Sequence, residues 1–173
     1  LYDNSNRLLA LINSLLDVSR IDQGKVNEES SLVDMTEVIQ EVVTILSGEA
    51  KQRGMTLTFT MPEKSLPPVR ITRGHMFEAI ENLVSNALRY SREGGLVTIT
   101  VYSKKEGIEI RVTDTGIGIP EADQTKIFSK FFRASNAVRS FTDGSGLGLS
   151  VVKSYVEENG GTIDGESTEE KMD

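Results

Sequence analysis

The chain has 173 residues, 38% of them hydrophobic and 26% charged, with no cysteine and a net charge of −7. That is enough for one compact domain plus an attached element; it excludes disulfides, thiolate metal sites and a cysteine nucleophile, and so acidic a chain is a poor partner for nucleic acid. No apolar run approaches the roughly 18 residues that span a bilayer, no signal peptide is visible, and a start at Leu1 rather than Met is what an internal piece of a longer protein would show.

Residues 2 to 23 read as one helix, because Leu8, Leu9, Ile12, Leu15, Leu16 and Ser19 recur at spacings of three and four. Leu8, Ile12, Leu15 and Ser19 fit a heptad-like seam that must be buried against a partner, and Gly24 is a stop. Asp34 and Glu37 fit a capping box opening a second helix over about 35–53, with Val38, Val42, Ile45 and Leu46 as its apolar stripe. Residues 55–61 alternate apolar and polar as a half-buried strand does. Pro62, Pro67 and Pro68 mark a loop. A third helix is predicted over 74–91, then strands near 96–103 and 107–114 joined by a tight turn at Lys105, Glu106 and Gly107. A Gly-, Ser- and charge-rich stretch follows over 116–148, then a helix over 146–159 and a further strand over 162–167. Strands in a hairpin with helices to cover one face predict an α+β, two-layer α/β sandwich on a mixed sheet.

Charge is uneven along this chain. Lys126, Lys130, Arg133, Arg139 and Lys153 face only Asp143 between positions 126 and 153, so that stretch carries +4 and the remainder −11. A basic island in an acidic protein suits a small anionic ligand better than a polyanion; a solvated basic face is the competing reading.

The third helix carries Asn82 and Asn86 four apart on one face, with Arg89 and Tyr90 extending that side. Asn is a mediocre helix former. Its carboxamide oxygen is a hard, neutral ligand suited to Mg²⁺ among phosphate oxygens, and Arg89 can pair with phosphate; two solvent-facing asparagines are the alternative. Asp114 ends a strand and leads into Gly116, Gly118 and Ile119. A carboxylate beside approachable backbone can accept from an exocyclic amine such as that of adenine, although for this segment alone an ordinary Asp-x-Gly turn is the better reading. Gly144-Ser145-Gly146-Leu147-Gly148-Leu149 opens the last long helix, where backbone N–H groups and the helix dipole favour an anion. It is neither a dinucleotide fingerprint nor a P-loop, and a flexible hinge is the plain reading. Ile127 to Arg133 contains three phenylalanines in a chain only 6% aromatic. This cluster is either core or the anchor of a mobile lid, with Lys130 and Arg133 reaching phosphate.

Taken in order, Asn-x₃-Asn-Ala-x-Arg-Tyr, Asp-x-Gly-x-Gly, Phe-x-x-Phe-Phe-Arg and Gly-x-Gly-Leu-Gly-Leu resemble the asparagine, first glycine, phenylalanine and second glycine boxes of sensor histidine kinases. The resemblance implies the Bergerat ATP-binding sandwich shared with gyrase B subunits, MutL and the large heat-shock chaperone. It implies that residues 1–24 are the second helix of the dimerisation and phosphoacceptor hairpin. Residues 30–173 would be the catalytic and ATP-binding domain, with an ATP lid over about 120–145. By it, Asn86 holds Mg²⁺ and Asn82 sits by the phosphates. Arg89 stands at a phosphate-binding position, and Tyr90 flanks the nucleotide. Asp114 accepts from the adenine amine beside Gly116, Gly118 and Ile119. Gly144, Ser145, Gly146, Leu147, Gly148 and Leu149 line the phosphates, with Lys130 and Arg133 in the lid.

The related ATPases carry a water-activating Glu where this chain has Asn82, which cannot act as a base. That favours transfer of the γ-phosphate to a histidine over hydrolysis. The family's acceptor motif is not around His75, the only histidine, so the acceptor helix is expected upstream and this chain alone should not autophosphorylate. Thr72 replaces the family's usual Asp before the third helix, and the chain stops before the usual closing strand. The resemblance further implies a homodimer, a response-regulator receiver domain as partner, and a cytoplasmic location with the parent protein anchored in the cell membrane through other segments. A gyrase- or MutL-type ATPase, a serine kinase of the anti-sigma type and a nucleotide-sensing module without transfer activity are the competing readings.

Overall fold

A computed structural model describes residues 29–62, 65–141 and 144–169. The helix expected over residues 2 to 23 lies outside them. Strand β1 (Ser31–Val33) leads into helix α1 (Met35–Gln52). Asp34 caps this helix: its Oδ1 accepts from the Thr36 hydroxyl at 2.6 Å and the Thr36 N–H at 2.8 Å. Those two bonds, the hydroxyl's first, hold the Asp34 carboxyl below its usual range. Strand β2 (Thr56–Thr60) and strand β3 (Val69–Ile71) precede helix α2 (Arg73–Tyr90). Strands β4 (Leu96–Lys104) and β5 (Gly107–Asp114) form the hairpin. Two short helices, α3 (Glu121–Gln124) and α4 (Ser135–Ser140), follow, then α5 (Gly148–Glu158).

The main sheet has the order β2-β4-β5, with β2 parallel and β5 antiparallel to β4. A second, two-stranded sheet pairs β1 with β3, register Val33 to Val69. Alternation puts Val97, Ile99 and Val101 of β4 on one face, against Val38, Ile39 and Val42 of α1 and Ile80, Val84 and Leu88 of α2. Each such fully buried aliphatic side chain contributes about 1.5–3 kcal/mol relative to exposure. A second core joins α2 to α5 through Ala79, Leu147, Val151, Val152 and Tyr155. Helix α2 is therefore packed on two sides, which fixes the direction of its remaining, polar face.

Three expectations need correction. Ile45 is 55% exposed rather than part of the α1 stripe; it sits at the edge of the buried arc, and Met35 and Ile39 fill the inward positions instead. Residues 162–167 form no strand. Gly165 weakens strand propensity there; Ile163 packs on the second core, and Ser167 is bound by the Ile119 N–H and by Gln124 of α3 instead of a neighbouring ladder. The stretch 116–148 is not all loop, since α3 and α4 lie within it. Thr72, at the cap position of α2, makes no side-chain cap bond. Its N–H donates instead to Asn159 Oδ1 at 2.7 Å, tying the start of α2 to the end of α5.

Candidate functional site

The polar face of α2 meets the start of α5. Asn82 Nδ2 donates to the Glu78 carbonyl at 3.0 Å, which fixes the carboxamide's orientation because a carbonyl can only accept. A Cβ built on Gly148 would lie 3.0 Å from Asn82 Oδ1 and 3.7 Å from Asn86 Nδ2. The two asparagines thus share a face, as their spacing predicts, and the backbone of the second glycine segment comes up against both. Helix α5 has no side-chain cap at its N-terminus, so its first-turn N–H groups are available to an anion. Leu147, 1% exposed, puts its side chain in the second core and offers only backbone to a ligand. Ser145 Oγ accepts from the Leu147 N–H at 3.2 Å. Leu149 is half-buried in the first turn.

One turn further along α2, Arg89 is half-buried with no hydrogen-bond or ion-pair partner among the described residues. Tyr90 stacks edge-on against Phe141, centroids 5.2 Å apart. A Cβ at Gly144 would meet Arg133 Nε at 3.3 Å and the Tyr90 hydroxyl at 3.6 Å. Arg133 in turn donates to the Phe141 carbonyl at 2.6 Å. Its guanidinium thus ties the phenylalanine-rich turn to the end of α4, a contact that the sequence did not reveal. Lys130 is exposed. Phe131, 64% exposed, adopts a φ of +63°, and a Cβ on Gly146 would lie 2.7 Å from its carbonyl carbon.

The first glycine segment packs against the C-terminal end of α2. Asp114 Oδ1 accepts from the Gly116 N–H at 2.8 Å, and the Ile117 N–H donates to the Tyr90 carbonyl at 3.1 Å. A Cβ at Gly116 would lie 2.8 Å from the same carbonyl, so only glycine allows the segment to reach α2. Gly118 has a φ of +67° and lies beneath the Thr168 carbonyl. Its own carbonyl accepts from Asn136 Nδ2 at 2.9 Å, and that of Ile119 from Gln124 Nε2 at 3.0 Å. Asp123 Oδ2 accepts from the Ser135 N–H at 2.8 Å. Gln124, Asp123 and Asn136 carry no periodic or motif signal in the sequence, and only the fold reveals them.

The family model described as "Histidine kinase-, DNA gyrase B-, and HSP90-like ATPase" matches residues 72–172, and the chain belongs to this family. It is 34% identical over 169 residues to the signal transduction histidine-protein kinase BarA of Escherichia coli, covering 92% of this chain and 18% of BarA. The chain thus spans less than a fifth of that relative. Among solved structures it is similar to the catalytic domain of histidine kinase ThkA, in a nucleotide-free form: TM-score 0.66, 28% identity, 76% of this chain and 82% of that one. Full-length ShkA in complex with AMPPNP shares the fold, with a TM-score of 0.77 at 24% identity, over 95% of this chain and 35% of that one. These likenesses place the chain with the ATPase domains of histidine kinases. Among the described residues no helix is long and apolar enough to cross a membrane.

Proposed function

We propose that the chain binds Mg-ATP between the polar face of α2, the Asp114–Ile119 wall and the Gly144–Leu149 segment, beneath a lid over about 120–145. In the intact protein it would donate the γ-phosphate to a histidine on a dimerisation helix, for relay to a response-regulator receiver domain. The parent protein would be a homodimer in which residues 1–24 supply the second dimerisation helix and residues from about 30 onward the ATP-binding domain, working in the cytoplasm. The observation that carries this reading is the approach of Gly148 to Asn82 and Asn86. An uncapped helix N-terminus beside two carboxamides is a cradle for a polyphosphate and a hard cation.

Asn86 would hold Mg²⁺ through its carboxamide oxygen. Among the described residues no group of three or more His, Cys, Asp or Glu is placed to hold a metal ion, so the phosphates themselves would supply further ligands. A cation held there would supply charge neutralisation to the phosphate oxygens. Asn82 would position the phosphates without activating water, Arg89 would add a guanidinium, and Tyr90 would flank the nucleotide. Asp114 would accept from the adenine amine with the Oδ2 that does not serve Gly116.

The test is thermal unfolding with and without Mg-ATP, for this chain and for Asn86→Ala. At about 100 times its Kd, a ligand binding only the folded state adds about 2.7 kcal/mol. A gain that needs Mg²⁺ and disappears in Asn86→Ala is the expected result. A folded sample with no gain at saturating ATP sinks the proposal.

A further inference from the structure

Two consecutive carbonyls of the base-side wall are held by lid carboxamides. Gly118 O takes the Nδ2 of Asn136, on α4, at 2.9 Å, and Ile119 O takes the Nε2 of Gln124, on α3, at 3.0 Å. Gln124 Nε2 also donates to Ser167 O at 2.7 Å, and the Ile119 N–H donates to Ser167 Oγ at 2.9 Å. The wall from Asp114 to Ile119 is thus anchored to α2 through Tyr90 at one end and to the lid at the other. Gly118, at a φ of +67°, lies between those anchors, and glycine has no intrinsic preference that would hold it there.

The chemistry of Asn136 sharpens this. Its amide orientation is set by Gly118 O, which accepts only. Its Oδ1 is buried and has no hydrogen-bond donor among the described residues. A half-satisfied buried carboxamide is costly, so packing alone does not explain it; the Nδ2 arm does.

We propose that Asn136 is a positioning residue for nucleotide selection. Through Gly118 O it fixes the wall beside Asp114, so that lid and base recognition act together, with Gln124 as the secondary tether. This inference rests on the nucleotide site proposed above. The wall it positions reads an exocyclic amine through an acceptor, and a base that presents a carbonyl there, as guanine does, is rejected only while the wall stays in place.

The experiment is calorimetric titration of Mg-ATP and Mg-GTP into the full chain and into Asn136→Ala, Asn136→Asp, Gln124→Ala and Asp114→Asn, each with an unfolding curve. Asn136→Asp keeps the shape but removes the donor and sets a carboxylate against a carbonyl. Both Asn136 variants are expected to lose about five- to tenfold in ATP affinity, the size of one hydrogen-bonded arm, and to lose less for GTP, so that the ATP-to-GTP ratio falls. Gln124→Ala moves in the same direction by less. Wild-type affinity and ratio in Asn136→Asp, while Asp114→Asn weakens ATP, would overturn the role of Asn136 and leave the site intact. An unchanged ATP affinity in Asp114→Asn removes the base wall and the proposal with it. A variant with a lowered melting point but an unchanged ratio shows a structural residue and overturns the proposal as well.

Discussion

Gly148 stands directly against Asn82: a methyl group added to the glycine would come within 3.0 Å of the carboxamide oxygen. That oxygen cannot turn away without giving up the Nδ2 bond to Glu78 O. Gly148 opens α5 at an ordinary helical position, so alanine there is locally acceptable and gains helix propensity of roughly 0.5–1 kcal/mol. Set against the crowding at Asn82, that gain leaves the melting temperature of Gly148→Ala about unchanged, while Mg-ATP is expected to weaken by on the order of tenfold, equivalent to about 1.4 kcal/mol. Calorimetry and unfolding on the same sample check both halves. Parallel loss of stability and affinity would mean that the glycine serves packing rather than the ligand.

Gly146 plays a different part. Its φ of +70° and its closeness to the backbone of Phe131 and Phe132, with a would-be Cβ at 2.7 and 2.8 Å, hold the phenylalanine-rich turn onto the Gly144–Leu149 segment. A left-handed conformation costs a residue with a Cβ about 1–2 kcal/mol, and the clash adds to it. Gly146→Ala is expected to release the turn locally. Amide exchange at Phe132, whose N–H bonds Ser129 O at 3.2 Å, should accelerate by about tenfold or more, whereas exchange in α1 should not. Equal exchange at Phe132 in both proteins would show that the two segments are not coupled.

The parts of the fold that were legible in the sequence are those with long, regular periods. Helices α1, α2 and α5 and the β4–β5 hairpin come within a residue or two of their expected bounds, because each buries one face and the pattern records it. Strands β1 and β3 were not legible: three residues cannot display a period, and Leu32 is 63% exposed. The asparagine pair and the glycine segments could be read because a helix face and a glycine carry their meaning locally. Asn136 and Gln124 could not, since their bonds to the Gly118 and Ile119 carbonyls form only when separate segments are brought together by the fold. The strand expected over 162–167 fails for the related reason that tertiary contacts at Ser167 and Ile163 override a weak alternation.

A pH-sensitive tether joins α3 to α4. Asp123 Oδ2 accepts from the Ser135 N–H at the start of α4. That backbone bond first, then one from the Ser135 side chain, holds the carboxyl below its ordinary value of 3.8. Because the folded pKa is the lower one, the contribution is complete above the unfolded value and is lost as pH falls through the folded value. Carbon-detected titration should place Asp123 below 3.8, and exchange at the Ser135 amide should rise only in that acid range. In Asp123→Ala it should be raised at every pH. A titration midpoint at or above the ordinary value would show that the tether is absent in solution.

His75 provides the last prediction, because it is the chain's only histidine and the reaction proposed for the intact protein phosphorylates one. It is 8% exposed, stacked on Tyr155 with ring centroids 4.2 Å apart, and its Nδ1 lies 3.3 Å from Glu158 Oε2. A neighbouring carboxylate repels an incoming triphosphate, and burial of the ring leaves its nitrogens little open approach for an in-line displacement. His75 belongs to the contact that packs α2 on α5, together with the Tyr155 hydroxyl bond to Glu78 Oε2 at 3.1 Å. Incubation with γ-labelled Mg-ATP should therefore leave no acid-labile phosphate on this chain, although the nucleotide binds. Supplying in trans a dimerisation helix that carries an acceptor histidine should yield label on that helix alone. Label on His75 in the unassisted chain would mean that the α2–α5 contact opens and that this histidine is itself an acceptor.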